Sequence, residues 1–376
     1  MEHANVVIIG GGVVGCAIAR SLSSRWDDVF LLEAMPKLAM GASSRNSGVI
    51  HSGLYYHPGS LKAKHCVRGN QLTYEFCAAH NVPHRKIGKL VVASSPEEEN
   101  DLLALVENGR ANGLEGLTIL GRDAIRAREP HVEGFKAIAV SSTGIVASEE
   151  LVKTYARVAT ENGANIVTHA RVEHLDPAGG CLRVVSTAGE IETRCLVNSA
   201  GLFADEVAAL LGSKMAQHRI YPVRGEYCEL IREKQNLVRG LVYPLPHDGL
   251  SLGVHLTKTL WGSVLVGPTA HYVNDKNDYE RDREPVEYFA DLAKKLLPSV
   301  TPSDFVPAYS GIRAKLIPPA GSSGAMPKAT GMPDFIIQSD PDFPRAIHLI
   351  GIESPGLTSA PSIAEHVSRL VSEVLA

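Results

Sequence analysis

The chain lacks an excess of either charge: 37 Lys and Arg stand against 41 Asp and Glu, a net −4 over 376 residues. Without a strongly basic field, nucleic acid is not expected as the main partner. No C-x-x-C pair occurs among the six cysteines, Cys16, Cys66, Cys77, Cys181, Cys195 and Cys228. Zinc ribbons and thioredoxin-type redox pairs are therefore unsupported, and no metal site is expected. The scatter of the thiols through apolar contexts suits a reduced, cytoplasmic chain. No stretch reaches the ~20 apolar residues that span a bilayer, so no transmembrane segment is expected, although peripheral membrane association stays open. Met1–Asn5 carries no Lys or Arg, and Gly10–Gly12 interrupts the apolar run from Val6 to Leu22. That segment reads as strand–turn–helix rather than a targeting sequence.

What is present is a 44% hydrophobic content and 34 glycines, enough for a large globular core. At ~150 residues per domain the length suits two or three domains. Val6–Ile9 is an unbroken apolar run, the pattern of a strand buried on both faces. Val13–Arg25 has helical texture, Val29–Glu33 reads as the next parallel strand, and Gly41–Gly53 as a loop. Leu61–His80 is predicted helical, Lys89–Ala93 a strand, and Pro96–Asn112 a surface helix opened by Ser95-Pro96. Glu149–Asn162 reads as a helix, Asn165–Thr168 as a strand, and Leu182–Ser186 and Glu190–Thr193 as a hairpin. Leu196–Gly201 reads as a separate buried strand. From Ile220 the texture turns to β, with runs at Tyr221–Leu230, Val238–Pro244, Leu252–Leu256 and Ser263–Val266. Pro285–Leu297 is predicted helical, Asp334–Gln338 and Ala346–Ile350 are predicted strands, and Thr358–Leu375 is the last helix; Gly321–Gly324 is a loop. These segments predict an α/β protein of two interleaved domains. A doubly wound sheet would come from 1–80, 143–215 and 331–376, and a mainly antiparallel sheet from 81–142 and 216–330.

Gly10-x-Gly12-x-x-Gly15, with Val13 and Val14, lies between the first strand and the first helix. Glycines there permit a tight turn and let the backbone approach a pyrophosphate at a helix N-terminus. Glu33, 18 residues after Gly15 and followed by Ala34, stands where a carboxylate accepts hydrogen bonds from a ribose. The pattern points to a dinucleotide, disfavours NADP and leaves FAD or NAD. Ser43, Ser44, Arg45, Asn46 and Ser47, within Gly41–Gly48, read as a second helix N-terminus aimed at phosphates, which favours FAD.

Together with Asn198–Gly201 and Gly351-x-x-x-Pro355-Gly356-Leu357-Thr358, these segments resemble the glycine/D-amino-acid oxidase family of FAD enzymes. That family has a Rossmann-like FAD domain interleaved with an antiparallel substrate domain. The runs Ser44–Lys64, Thr143–Val146, Pro222–Tyr227 and Leu252–Thr257 resemble its L-2-hydroxyglutarate dehydrogenase/oxidase group, and the similarity covers nearly the whole chain. The resemblance implies that the Val172 backbone meets the adenine and that Ala200 and Gly201 pass the pyrophosphate. It places Gly356, Leu357 and Thr358 at the flavin. It matches Gly311-Ile312-Arg313 to a G-x-R segment whose Arg grips a substrate carboxylate, a task suited to a planar guanidinium. Arg224 and Tyr56 are further substrate-side candidates. His51 is the first candidate base and His255 the second, since histidine titrates near working pH without special tuning. The implied function is FAD-dependent oxidation of a small L-2-hydroxy acid, L-2-hydroxyglutarate to 2-oxoglutarate being the best match. The alternatives are an amino-acid or secondary-amine oxidase of the glycine or sarcosine oxidase type, and a flavoprotein without turnover. FAD is expected to be non-covalent, because Arg45 stands where related enzymes place a linking His in a G-x-x-x-H segment. Oxygen, a quinone or a carrier protein remain open as electron acceptor.

Overall fold

The computed structural model describes residues 2–246, 253–319 and 333–376. Strand β1 (Glu2–Ile9) leads through a glycine turn into helix α1 (Val13–Ser23) and on to strand β2 (Val29–Leu32). β1 pairs in parallel with β2 on one side and with Gly189–Asn198 on the other, Ile9 standing opposite Leu32 and Asn198. The eight-stranded sheet extends in parallel to Asn165–Val167 and Ala346–Ile350, with antiparallel strands at its margins. Val6 and Ile8 point into a core shared with Ile18, Leu22, Tyr155 and Ile363. Val7 and Ile9 point the other way, into a core with Leu175, Leu196 and Val207. Burial of both faces explains why the run is continuously apolar rather than alternating. Helix α2 (Leu61–Ala79) packs against the C-terminal helix Gly356–Leu375, which also lies on α1.

A nine-stranded sheet is built on the antiparallel pair Tyr221–Leu230 and Phe305–Lys315, in which Gly225 faces Gly311 and Val223 faces Arg313. Its other strands come from 89–140 and 241–272, whereas those of the first sheet come from 2–32, 165–198 and 336–350. The strands of the two sheets thus alternate along the chain. A third sheet, of three short strands, joins Val49–Ile50, Gly144–Val146 and His84–Arg85. Among the described residues no helix is long and apolar enough to cross a membrane.

Several expectations are corrected. Glu190–Thr193 and Leu196–Asn198 belong to one ten-residue strand, Gly189–Asn198, because β1 pairs with it throughout. Gly41–Gly48 opens no helix. The Asn46 side chain donates to the Ala42 and Ser43 carbonyls and accepts from Gly48 N–H, and side-chain bonds of this kind compete with helical ones. Val172–Ala178, unmarked in the sequence, is a polar outer strand that tolerates Pro177. Leu252 and the Gly321–Gly324 loop lie outside the described residues.

Candidate active site

A cavity of about 1000 Å3 runs from the β1–α1 turn to the substrate-side sheet. At the turn, Gly10 has φ +106°, and a Cβ there would meet the Ser199 carbonyl at 2.6 Å. Only glycine accommodates both constraints. Gly12 caps α1 without a side chain, and Val13 N–H donates to Ser43 Oγ at 2.9 Å. Glu33 receives Gly11 N–H at 2.6 Å and Met35 N–H at 2.7 Å, which fixes its carboxylate at the cavity wall. Val14, Ala34, Val172, Ala200 and Gly201 line the same end. At the far end, the C-terminal helix begins at Gly356 with no side-chain cap, and Gly356 and Leu357 face the cavity. A cradle closed to any Cβ, an anchored carboxylate and an uncapped helix terminus fit a dinucleotide of FAD type.

Four candidates do not line the cavity. Gly15 packs instead: a Cβ there would lie 1.9 Å from the Gly10 carbonyl, so its absence lets α1 sit close on β1. Ser44 turns back to the Gly41 carbonyl. Thr358 is fully buried; its Oγ1 accepts from His51 N–H at 2.9 Å and donates to the Val49 carbonyl. It pins His51. Arg224 is held by Glu226 at 2.9 Å and Asp278 at 3.3 Å; two carboxylates already occupy its guanidinium, so it is no substrate ligand. Arg45, Asn46 and Ser47 do face the cavity. The Arg45 guanidinium, however, turns toward the second sheet, donating to the Ser310 carbonyl and lying 4.3 Å over the Tyr279 ring.

The substrate-side candidates Arg313, Tyr56, His51 and His255 all line the cavity. Arg313 Nη1 donates to the Thr269 carbonyl at 3.1 Å; among the described residues it makes no ion pair. His51 is clamped by Thr358 and by Asn70 Nδ2, which donates to its carbonyl at 2.9 Å. Its Nε2 lies 3.4 Å from Ser354 Oγ, and its Nδ1 is buried without a hydrogen-bond partner. Burial, with the Lys89 charge adding to it, pushes the imidazole down to about 3. The expectation of a histidine poised near working pH is therefore corrected: His51 is neutral in the substrate-free protein. Burial also holds the Tyr56 hydroxyl protonated. His255 stacks on Tyr243, ring centroids 3.5 Å apart and planes 9° from parallel.

Sequence reasoning missed Lys89, Ser354 and a buried triad in which Glu353 accepts from Lys62 at 2.8 Å and Lys315 at 3.0 Å. Only the Glu353-Ser354 step before Pro355-Gly356 was a visible signal. Glu33, Glu173 and Glu206 line the cavity along with Arg45, Arg313 and the paired Lys315 and Glu353, of which Arg313 and Lys315 come from the second sheet.

A protein-family model described as FAD dependent oxidoreductase (DAO) matches residues 5–370. An L-2-hydroxyglutarate dehydrogenase of Indibacter alkaliphilus is 32% identical, over 95% of this chain and 96% of that protein. The mitochondrial L-2-hydroxyglutarate dehydrogenase of Arabidopsis thaliana is 35% identical, over 98% of this chain and 83% of its own. Among solved structures, dithionite-reduced L-α-glycerophosphate oxidase of Mycoplasma pneumoniae with FAD bound matches with a TM-score of 0.87 and 28% identity, over 99% of this chain and 95% of that one. Glycine oxidase of Geobacillus kaustophilus shares the fold, with a TM-score of 0.82 at 20% identity, over 99% of this chain and 95% of that one.

Proposed function

The chain belongs to the family of FAD dependent oxidoreductases, and from that premise we propose that it oxidises a small L-2-hydroxy acid, with L-2-hydroxyglutarate as the substrate and 2-oxoglutarate as the product. One observation carries the reading: Arg313, a cation with no ion pair among the described residues, shares a cavity with the neutral imidazole of His51. The unused N–H groups of the guanidinium suit a carboxylate, which they can grip with two parallel hydrogen bonds. A 2-hydroxy acid so held offers the hydroxyl on the adjacent carbon to the residues of the same cavity. His51 accepts the hydroxyl proton on the nitrogen that faces Ser354. A bound carboxylate anion raises the proton affinity of a nearby imidazole, which offsets the depression seen in the free protein. Arg45 puts further positive charge on that side, the complement of a second carboxylate, whereas Lys315 is already paired with Glu353.

Gly10, Gly12, Val13, Glu33, Ser43, Val172, Ala200, Gly201, Gly356 and Leu357 would hold the cofactor. Bound FAD supplies a two-electron acceptor for the carbon being oxidised. With Arg45 in the linker position, FAD is held without a covalent bond. Acid precipitation should leave the yellow colour in the supernatant, and colour kept in the pellet would refute this.

The test is a substrate panel scored without oxygen by loss of flavin absorbance. L-2-hydroxyglutarate should bleach the flavin fastest and other L-2-hydroxy acids more slowly. Bleaching by glycine or sarcosine in place of hydroxy acids would move the protein to amine oxidation. Bleaching by neither class would leave a flavoprotein without turnover.

A further inference from the structure

In the antiparallel pair Tyr221–Leu230 and Phe305–Lys315, Gly225 stands directly opposite Gly311. Opposite residues of such a pair point to the same face, about 5 Å apart, and Arg313, two positions along, points there too. A Cβ on Gly225 would lie 2.9 Å from Arg313 Nη1, and one on Gly311 would lie 2.1 Å from the Arg45 carbonyl. The two bare glycines thus seat two arginines side by side on one sheet face. Both arginines are half-buried and both line the cavity. Among the described residues neither guanidinium makes an ion pair. Arg313 Nη1 donates to the Thr269 carbonyl at 3.1 Å and Arg45 Nη1 to the Ser310 carbonyl at 3.3 Å.

Two cations without anions in one partly enclosed cavity are poorly solvated and repel each other. A monocarboxylate neutralises one of them, whereas a dicarboxylate neutralises both. The function proposed above gives one carboxylate to Arg313, and on that reading we propose that Arg45 is the specificity-determining residue of the site: it binds the distal carboxylate and selects hydroxy diacids over hydroxy monoacids of the same length. The glycine pair sets the two arginines one strand spacing apart, the order of the separation between the carboxylates of a five-carbon diacid. Lys315 cannot take this part, because Glu353 holds its ammonium at 3.0 Å. The Arg45 guanidinium is also held for the task. Its Cζ lies 4.3 Å over the Tyr279 ring, a contact that fixes the plane and leaves N–H groups at its edge available. Tyr279 is fixed in turn: its carbonyl accepts from Ser310 Oγ, and the preceding Asp278 accepts from Arg224 at 3.3 Å. Arg224, itself no substrate ligand, thus steadies the segment under Arg45.

The test compares L-2-hydroxyglutarate with L-2-hydroxypentanoate, which has the same carbon chain and a methyl group in place of the distal carboxylate. The readout is the ratio of their second-order rate constants for anaerobic flavin reduction in the FAD-loaded protein. Wild type should favour the diacid. In Arg45→Met the ratio should fall by about 30-fold or more, the scale of hydrogen bonds to a charged group. Arg45→Lys should recover only part of it, since an ammonium cannot make two parallel bonds. If Arg45→Met fails to hold FAD, Arg45→Gln keeps N–H donors without the charge and makes the same comparison. A wild type without preference for the diacid, or equal losses for both acids in the uncharged variants, overturns the proposal. If neither acid reduces the wild-type flavin, the function proposed above fails, and binding of glutarate and pentanoate, read from the flavin spectrum, decides on Arg45 by itself. Tighter binding of glutarate that is lost in Arg45→Met supports the proposal, and equal binding of the two acids overturns it.

Discussion

Arg313 and His51 divide the work in the proposed reaction, and their variants should fail differently. Arg313→Met removes the charge and the fork together and leaves the substrate anion unpaired in a partly enclosed cavity. The expected loss is roughly 100-fold or more in kcat/KM, the scale for breaking a desolvated charged pair. Arg313→Lys should recover only part of it, because an ammonium cannot make two parallel bonds. An unchanged kcat/KM in Arg313→Met takes the residue out of the site. His51→Ala should instead slow anaerobic flavin reduction by about 100-fold or more while FAD content stays near wild type. Loss of FAD in His51→Ala would make the residue structural, and normal reduction there with none in His255→Ala would transfer the role to His255. Arg313 was singled out by its resemblance to a G-x-R segment and His51 by its small and apolar neighbours, and both line the cavity. Lys89 was not: a lysine at the first position of an apolar strand reads as its solvated end. Only the tertiary approach of Tyr55 and Tyr243 buries it. The resemblance placed Thr358 at the flavin through the backbone N–H groups of a helix start, yet of Gly356, Leu357 and Thr358 only the first two line the cavity, and the Thr358 hydroxyl bonds His51 and Val49.

At the scale of elements, the β1–turn–α1 unit depends on close approach. A Cβ at Gly15 would lie 1.9 Å from the Gly10 carbonyl and 2.9 Å from Ser199 Oγ. Gly15→Ala therefore has to lift α1 off the end of β1, where the cofactor cradle is formed. Overpacking of this kind costs about 1–3 kcal/mol. We expect Gly15→Ala to purify with reduced FAD content and a lower melting temperature, whereas Gly121→Ala, which lies away from the cavity and whose Cβ would meet nothing within 4 Å, keeps both. Equal FAD content in the two variants would show that α1 is not held by this contact. The elements read correctly from sequence were those with one dominant signal, such as β1 with its two buried faces and the amphipathic Ser148–Glu161 helix. Those missed were short or set by partners. Leu117–Gly121 is largely exposed and is held by its register with Lys136–Val140. The loop at Gly41–Gly48 has helix-start chemistry, but Asn46 spends its side chain within the turn and the chain passes into Val49–Ile50.

Across the whole molecule, several titratable side chains are buried in forms that acid would change. His51 is pushed down to about 3, chiefly by burial, and His65 to about 4 by burial and the neighbouring His366. His348, fully buried against Asp340, is lowered too, burial outweighing the carboxylate. In the unfolded chain each of these would titrate near 6.5. Between that value and the folded one, the unfolded chain binds more protons, so stability rises with pH in this window and is lost on acidification through it. Each histidine kept neutral down to pH 5 contributes on the order of 2 kcal/mol to that loss. The carboxylates act later. Burial alone would raise Glu353, but Lys62 and Lys315 outweigh it and hold it below the usual range, so its contribution is full above about 4.5 and disappears below. The melting temperature of the FAD-loaded protein, followed by far-UV circular dichroism, should therefore fall by several degrees between pH 7.5 and pH 5, before carboxylates titrate. His65→Gln, which lies outside the cavity, should flatten part of that slope without altering flavin reduction. A melting temperature that stays level to pH 5 and collapses only below 4.5 would mean that these imidazoles are protonated in the folded protein, and the neutral state assigned to His51 would fall with them.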